Sequence, residues 1–193
     1  MENQATHQLT TEATDEPLTL TEMKRALRVT RDDLDTEIKS TFKAARVWLE
    51  RQYGRSMTTT ATRVALWSTW PSGPIYLDYP PFIAVTHLKY RDTSDALQTL
   101  ASTNYYTLSS TDARSLLDWA ATAVLPDHYE RPDAIQLTYT TGYASRDAIP
   151  ESCKHAIKML AAAWFLEDDP ARIEKGRECA MSVMSAFDSA GYR

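Results

Sequence analysis

The chain has 193 residues, a length that favours a single domain or a domain with an insertion. Its hydrophobic fraction of 43%, with five Trp and ten Tyr, is sufficient for a folded core. The net charge of −5 argues against a protein whose main task is to grip nucleic acid, because phosphate binding requires clustered Lys and Arg. No signal peptide follows Met1 and no apolar run reaches the ~20 residues that span a bilayer, so we expect a soluble, cytoplasm-assembled protein without membrane contact.

The chain begins with a polar segment. Residues 1–16 consist mainly of Thr, Gln and Glu and contain almost no large apolar side chain. Such a segment cannot bury enough surface to order itself. We therefore expect a polar N-terminal arm over residues 1–16, pinned down by a partner chain.

A short helix is predicted within residues 17–29. Thr19 and Glu22 have the spacing of a capping box, in which each side chain accepts a hydrogen bond from the other residue's backbone N–H. Together with the next helix, it forms a helical part over residues 17–56.

A longer helix is predicted from about residue 32 to residue 53. Thr30 or Asp32 can cap it, and acidic residues fill its first turns, as the helix dipole prefers. Gly54 is placed to end the helix in the left-handed conformation. The acidic residues lack the order of acids and glycine of an EF-hand, so we expect no metal site here.

The pattern changes to short strands between residues 57 and 143. Segments rich in Thr, Val and aromatic residues alternate with Pro and Gly turns. The strand candidates are residues 57–70, 75–77, 82–91, 105–108, 115–119 and 134–139. This spacing predicts a small antiparallel sheet or sandwich, inserted between two helical parts.

The most apolar helix of the chain is predicted within residues 150–168. Pro150 suits its first turn, and Cys153, Ile157, Leu160 and Trp164 recur along one face. Nearly every residue from Met159 to Leu166 is apolar or small, so a second face must be covered as well. We expect Met159, Trp164 and Phe165 to pack against neighbouring subunits.

A last helix is predicted over residues 171–188. Asp168 or Asp169 can cap it with Pro170 in its first turn, and Gly176 weakens its middle by ~1 kcal/mol relative to Ala, so a break there is expected. Its apolar stripe consists of Ala180, Val183, Met184 and Phe187. The predicted fold is α+β: about four helices in a bundle, with an antiparallel β insertion (residues 57–143) between the second and third, and a second helical part over residues 144–193.

The sequence offers little catalytic chemistry. It contains none of the common nucleophile, zinc or phosphate-loop motifs, and its four histidines are scattered. Cys153 and Cys179 favour buried thiols over a disulfide or a metal site. We expect no cofactor, no metal and no catalytic residue. Two alternatives stay open: an enzyme of hydrolase type that uses His87, His128 and nearby acids, and a free-standing DNA-binding module with a basic stripe.

Several motifs occur in a recognisable order. They are Pro17-Leu18-Thr19-Leu20-x-Glu22-x-Lys24-x-x-Leu27, Leu49-Glu50-x-x-x-Gly54-Arg55, Tyr79-Pro80-Pro81-Phe82-x-x-Val85, Ile135-x-Leu137-x-Tyr139-x-x-Gly142-Tyr143, and Ile149-Pro150-x-x-x-Lys154-x-Ala156-Ile157 followed by Trp164-Phe165. In order and spacing they resemble the head–tail connector adaptors of long-tailed bacteriophages and gene transfer agents. The resemblance spans about residues 17–168. The polar arm, the polar region of residues 97–131, and Trp-Phe where the family usually has Trp-Tyr depart from it.

The resemblance implies a structural virion protein and not an enzyme. Adaptors of this family form a ring, commonly of twelve copies, beneath the capsid portal; the ring extends the DNA channel and contacts the stopper or tail-completion protein. By analogy, we expect residues 171–193 to dock on the portal through Val183, Met184, Phe187, Tyr192 and Arg193. An acidic chain suits a channel through which double-stranded DNA passes, because like charge keeps phosphates off the wall.

Overall fold

The computed structural model describes residues 6–13, 15–109 and 115–188, and for residues 186–188 it describes the backbone only. The chain divides into two compact units. We call Met1–Ala13 together with Thr60–Gly142 the sheet unit, and Thr14–Thr59 together with Tyr143–Arg193 the helical unit.

The helical unit contains four described helices. They are α1 (Leu20–Leu27), α2 (Asp35–Tyr53), α3 (Glu151–Leu166) and α4 (Pro170–Asp188). Each lies within a few residues of its predicted position. Their shared core is formed by fully buried side chains from all four helices, including Met23, Ile38, Phe42, Leu49, Ile157, Leu160 and Met184. No helix of the described residues has the length and apolar composition needed to cross a membrane.

Local capping explains where three of these helices begin or end. At α1, the Thr19 N–H donates to Glu22 Oε2 at 2.7 Å and the Glu22 N–H donates to Thr19 Oγ1 at 3.3 Å, which confirms the capping box. At the end of α2, Gly54 has φ 55°, the predicted left-handed conformation. At α4, the Ala171 N–H donates to Asp169 Oδ1 at 3.0 Å, so Asp169 caps this helix as predicted.

The predicted cap of α2 is wrong. The residue before the helix is Leu34, and no side chain caps it. Lys24 explains the difference, because its Nζ lies 2.6 Å from Asp32 Oδ1 and 2.8 Å from Asp35 Oδ1. The Asp32 carboxylate therefore accepts a hydrogen bond from α1 and not from the backbone of α2.

The sheet unit contains eight described strands in two antiparallel sheets. The strands are β1 (Thr6–Thr11), β2 (Ala61–Trp67), β3 (Ile75–Leu77), β4 (Phe82–Arg91), β5 (Leu97–Thr99), β6 (Tyr105–Leu108), β7 (Ser115–Trp119) and β8 (Ile135–Thr141). The larger sheet has the order β1-β2-β8-β4-β5, and the smaller one β3-β7-β6. Their core consists of buried side chains that alternate along the strands, such as Trp67, Leu77, Leu88, Leu117, Leu137 and Tyr139.

The strands do not all come from an insertion between the second and third helices. β2 to β8 do, but β1 precedes α1 and pairs antiparallel with β2, so the predicted arrangement is wrong at this point. Backbone hydrogen bonds supply the order that the polar side chains of β1 cannot. The expectation of a partner chain is also corrected, because the neighbour that pairs with Thr6–Thr11 is a strand of the same chain.

The expected break at Gly176 is absent, and α4 is continuous through it. A Cβ at Gly176 would lie 2.3 Å from the Cβ of Ala163 on α3. The glycine is therefore required by the close approach of the two helices, a constraint that is not visible in the sequence of α4 alone.

Candidate interaction surfaces

The first candidate surface is the C-terminal part of α3, whose incompletely buried apolar residues, here called the apolar strip, are Met159, Trp164, Phe165 and Leu166; by helical spacing Trp164 faces a different side from Leu166. The first three side chains are half-buried and pack against the helical core, while Leu166 is 56% exposed. The Trp164 ring meets Trp48 of α2 edge to face, with ring centroids 6.5 Å apart. The chain thus covers the strip in part and leaves apolar area for a partner.

Charged groups border this strip. The Arg177 guanidinium lies 5.8 Å from the centroid of the Trp48 ring and forms an ion pair with Glu174. A cation at this distance from an indole face is within the range of a cation–π contact. A charged pair therefore lies beside Trp48, the ring against which Trp164 packs.

The predicted docking residues of the last helix occupy different environments. Met184 is fully buried in the helical core, as is Ala180, and Val183 is half-buried against it. The side chain of Phe187 and the whole of Tyr192 and Arg193 lie outside the described residues. The apolar stripe of α4 thus faces the chain's own core at Met184. From the sequence alone, an apolar stripe that faces the core looks the same as one that faces a partner.

A buried charge network anchors the N-terminal part of the helical unit. Arg46 Nη1 donates to Glu50 Oε2 at 2.6 Å, and Arg46 Nε donates to Glu16 Oε2 at 2.8 Å. Glu50 also accepts the Met57 N–H at 2.6 Å, and Arg146 donates to the Glu16 carbonyl at 2.8 Å. Arg46 and Glu50 are only 6% and 7% exposed, so each requires the other's charge.

A second polar cluster anchors β1 in the sheet unit. His7 Nε2 lies 3.2 Å from Asp78 Oδ2, and His7 Nδ1 lies 3.3 Å from the Tyr139 hydroxyl. Burial raises the pKa of Tyr139, so this phenol stays neutral. The guanidinium of Arg63 lies 3.6 Å from the centroid of the Tyr79 ring. Tyr79 directly follows Asp78 in the sequence.

One histidine of the alternative enzyme, His128, lines a cavity. A cavity of about 630 Å³ is lined in part by Asp127, His128, Glu130 and Arg131. His87 lies on β4 and is not among its described lining residues; burial and the nearby Lys89 charge lower the pKa of His87. The described residues contain no group of three or more His, Cys, Asp or Glu side chains that could hold a metal ion.

The Cys153 thiol is not activated. Burial raises the pKa of the Cys153 thiol to about 11, so it stays protonated and unreactive at neutral pH. Cys179 is half-buried, and both thiols are free.

The smaller sheet has an exposed apolar surface that was not predicted from the sequence. On the smaller sheet, Tyr76 of β3, Leu116 of β7 and Leu108 of β6 form one row across the strands, and Tyr106 and Asp118 form the next row. Tyr76, Tyr106 and Leu108 are 56%, 47% and 57% exposed. The period-two alternation of the short strands was the available signal, but it does not show which face is covered.

Comparison with known proteins yields structural matches only. No family model and no curated protein matches the chain. A chain from the virion of a native gene transfer agent (GTA) particle matches with a TM-score of 0.74 at 21% identity, over 94% of this chain and 94% of that one. Two further matches come from necks: that of the empty GTA particle computed with C6 symmetry (TM-score 0.71, 22% identity, 89% of this chain and 95% of that one), and that of the native particle computed with C12 symmetry (0.68, 18%, 89% and 94%).

These matches define the class of fold. The chain has the α+β fold of chains that are found in the virion and neck of gene transfer agent particles. The likeness extends over both units and over nearly the full length of the matched chains.

Proposed function

We propose that this chain is a structural protein of a particle neck. In this proposal, copies assembled in the host cytoplasm form an adaptor ring that joins the capsid portal to the stopper or tail and extends the DNA channel. The observation that carries the proposal is the match to a GTA virion chain over 94% of the sequence with a TM-score of 0.74, together with matches to GTA neck chains over 89% of the sequence.

The proposed ring is supported by two further observations. The matched necks were computed with C6 and C12 symmetry, which agrees with a ring of twelve copies. The apolar strip of Met159, Trp164, Phe165 and Leu166 offers each copy a half-covered surface for lateral packing.

The proposed DNA channel is supported by the charge of the chain. The net charge of −5 suits passage of DNA without tight binding.

Portal docking is proposed for α4 and the residues that follow it. Because Ala180 and Met184 are fully buried, contact with the portal would come from the exposed side of α4 and from residues 189–193, with Tyr192 and Arg193 as candidates. Val183, which is half-buried, and Phe187 remain candidates from the sequence. Removal of residues 189–193 leaves the buried part of α4 intact, so it is a cleaner test than a deletion that begins at Ala180.

Electron microscopy of the purified full chain, with and without portal protein, tests the proposal. We expect closed rings on the portal, and we expect removal of residues 189–193 to reduce incorporation into portal-bearing capsids at least tenfold. A monomer that ignores the portal, or unchanged incorporation of the shortened chain, would contradict the ring or the docking role respectively.

A charge on the apolar strip tests lateral packing. Leu166→Glu should lower the fraction of chain in rings at least tenfold, because the carboxylate would be buried between copies. Leu97→Glu is the matched control, since Leu97 is 44% exposed on β5 of the sheet unit. Equal ring fractions for the two variants would exclude the strip from the interface.

A further inference from the structure

Among the described sheet edges without a register shift, the outer edge of β6 is the longest, by one residue. An open edge exposes unpaired N–H and C=O groups, and proteins blunt such edges with bulges, prolines, charges or very short strands. β1 carries a register shift between Leu9 and Thr11, and β3 and β5 have three residues each. β6 has four uncharged residues, none of them proline, and no described strand pairs with its outer side.

The direction of the β6 backbone groups follows from its ladder with β7. The Ala120 N–H donates to the Asn104 carbonyl at 2.9 Å, in register with the β6–β7 pairing. Backbone groups of successive residues in an antiparallel strand point to alternate sides. Tyr106 and Leu108 therefore direct their N–H and C=O toward β7, whereas the exposed Thr107 directs both groups to the open edge.

We propose that this edge pairs with the same edge of a second copy of the chain. In the antiparallel arrangement, the two copies of Thr107 face each other across a two-fold axis. Each Thr107 exchanges both of its backbone hydrogen bonds with the other. Tyr106 then lies opposite Leu108 of the second copy on the outward face, which is an aromatic–aliphatic pair of the kind that stabilises sheets. The two three-stranded sheets become one continuous sheet.

The charges of the outward face are compatible with this pairing. Asp118 is the only charged residue on this face of the described β3, β6 and β7, and it accepts a hydrogen bond from the Tyr106 hydroxyl at 3.1 Å. In the paired sheets, each row across the strands begins with Asp118 and Tyr106 of one copy. It continues with Leu108, Leu116 and Tyr76 of the second copy. The two carboxylates are thus in different rows, and no like charges face each other. The edge is thus compatible with itself, and the pairing of Tyr106 with Leu108 in both directions is the basis for choosing a second copy as its partner.

The two-fold contact is separate from the proposed neck ring. A ring joins copies by repeated rotation about one axis, whereas this contact relates two copies by a two-fold axis. Loss of the β6 contact leaves a ring intact and halves the mass of any assembly that contains both contacts. Failure of the ring proposal would leave the pairing of β6 unaffected.

Disulfide trapping tests the axis directly. In the full chain carrying Cys179→Ser, Thr107→Cys should form a disulfide-linked dimer under mild oxidation, because Cα atoms of a hydrogen-bonded antiparallel pair are about 5.5 Å apart, within the range of a disulfide. Thr99→Cys is the matched control, since Thr99 is an exposed threonine on the edge strand β5. We expect dimer formation at least ten times faster for Thr107→Cys; equal rates would overturn the proposal.

A pair of proline variants tests the backbone contact. The Leu100 N–H donates to the Leu88 carbonyl at 2.8 Å, so by the same alternation Thr99 also points to an open edge. Neither Thr107→Pro nor Thr99→Pro removes a hydrogen bond within its own sheet. In sedimentation velocity, Thr107→Pro should halve the assembly mass and Thr99→Pro should leave it unchanged. A wild-type chain that stays monomeric, or identical behaviour of the two variants, would refute the contact.

Discussion

The N-terminal residues are anchored in both units, but by different chemistry. In the helical unit, Glu16 is bound by the Arg46 guanidinium, whose second partner is Glu50. In the sheet unit, His7 lies between the Asp78 carboxylate and the neutral hydroxyl of Tyr139. The first anchor is a network of full charges centred on the buried Arg46 and Glu50, and the second joins an imidazole to one partly exposed carboxylate and one neutral hydroxyl.

This difference predicts how each unit tolerates the loss of a partner. A buried charge whose counter-ion is removed keeps its whole desolvation cost, whereas a neutral group that loses a hydrogen bond keeps a smaller one. The helical unit should therefore be the more sensitive to substitution in its anchor. The charge network also holds a loop, because Glu50 accepts the Met57 N–H beyond the end of α2.

The largest expected effect is that of Arg46→Met. The substitution removes the guanidinium that donates to the buried Glu50 carboxylate at 2.6 Å, so the free energy of unfolding should fall by about 3–5 kcal/mol. Urea unfolding followed by circular dichroism measures this change. Arg31→Met is the control, since the Arg31 side chain is 71% exposed and its ion pair with Asp33 should contribute less than about 1 kcal/mol.

A double variant sharpens the assignment. Arg46→Met with Glu50→Gln removes both charges, so it should recover part of the stability that Arg46→Met loses. If the loss in the free energy of unfolding for the double variant equals the sum of the losses for the two single variants, Arg46 and Glu50 are not energetically coupled, contrary to their geometry.

The second effect concerns the close contact of α3 and α4. Gly176→Ala improves helix propensity by about 1 kcal/mol, yet its Cβ would collide with Ala163, and overpacking of this kind costs about 1–3 kcal/mol. We expect a net loss in the free energy of unfolding. Adding Ala163→Gly should restore most of it, and a stabilised Gly176→Ala variant would contradict the contact.

Local features of the fold could be predicted from the sequence, and remote contacts could not. The Thr19–Glu22 capping box and the left-handed Gly54 depend on neighbouring residues, so their signals are complete within a few positions. The contact of Gly176 with Ala163 depends on a second helix. The strand Thr6–Thr11 depends on β2, more than fifty residues away along the chain, and its own side chains carry no apolar alternation.

The candidate surfaces show the same limit. The apolar residues Trp164 and Met184 are equally prominent in sequence, but Trp164 is half-buried and Met184 is fully buried. Which side of a helix is covered by its own chain depends on the packing of all four helices. The row of Tyr76 and Leu108 was missed for the same reason, because alternation shows two faces and not which of them is exposed.

The third effect tests the Tyr139 hydroxyl in the anchor of β1. Tyr139→Phe removes the hydroxyl that contacts His7 and the Asp78 carbonyl, and it should lower the free energy of unfolding by about 1–2 kcal/mol. Hydrogen exchange should accelerate at the amides of β1. Tyr76→Phe is the control, because Tyr76 is 56% exposed and its loss of a hydroxyl should leave stability unchanged. A cost as large as that of Arg46→Met would remove the distinction between the two anchors.

The smallest effect is a pH dependence at the start of α1. Hydrogen bonds from the backbone and then the side chain of Thr19 hold the pKa of Glu22 below its ordinary value of 4.5. Since the pKa is lower in the folded state, the unfolded state binds more protons near this pH, and the stabilisation is complete above about pH 4.5 and is lost as the pH falls through the folded-state pKa.

Unfolding at pH 5.5 and pH 3.5, for example, measures this loss in the wild type and in Glu22→Gln. The amide of Glu22→Gln does not titrate, so the variant should lose less stability over this interval, by less than about 1 kcal/mol because the pair is partly exposed to solvent. Thr19→Ala should cost about 1 kcal/mol at the higher pH, where the capping box is intact, and less at the lower pH. The same loss in the wild type and in Glu22→Gln would mean that acid acts on other groups and not on the capping box.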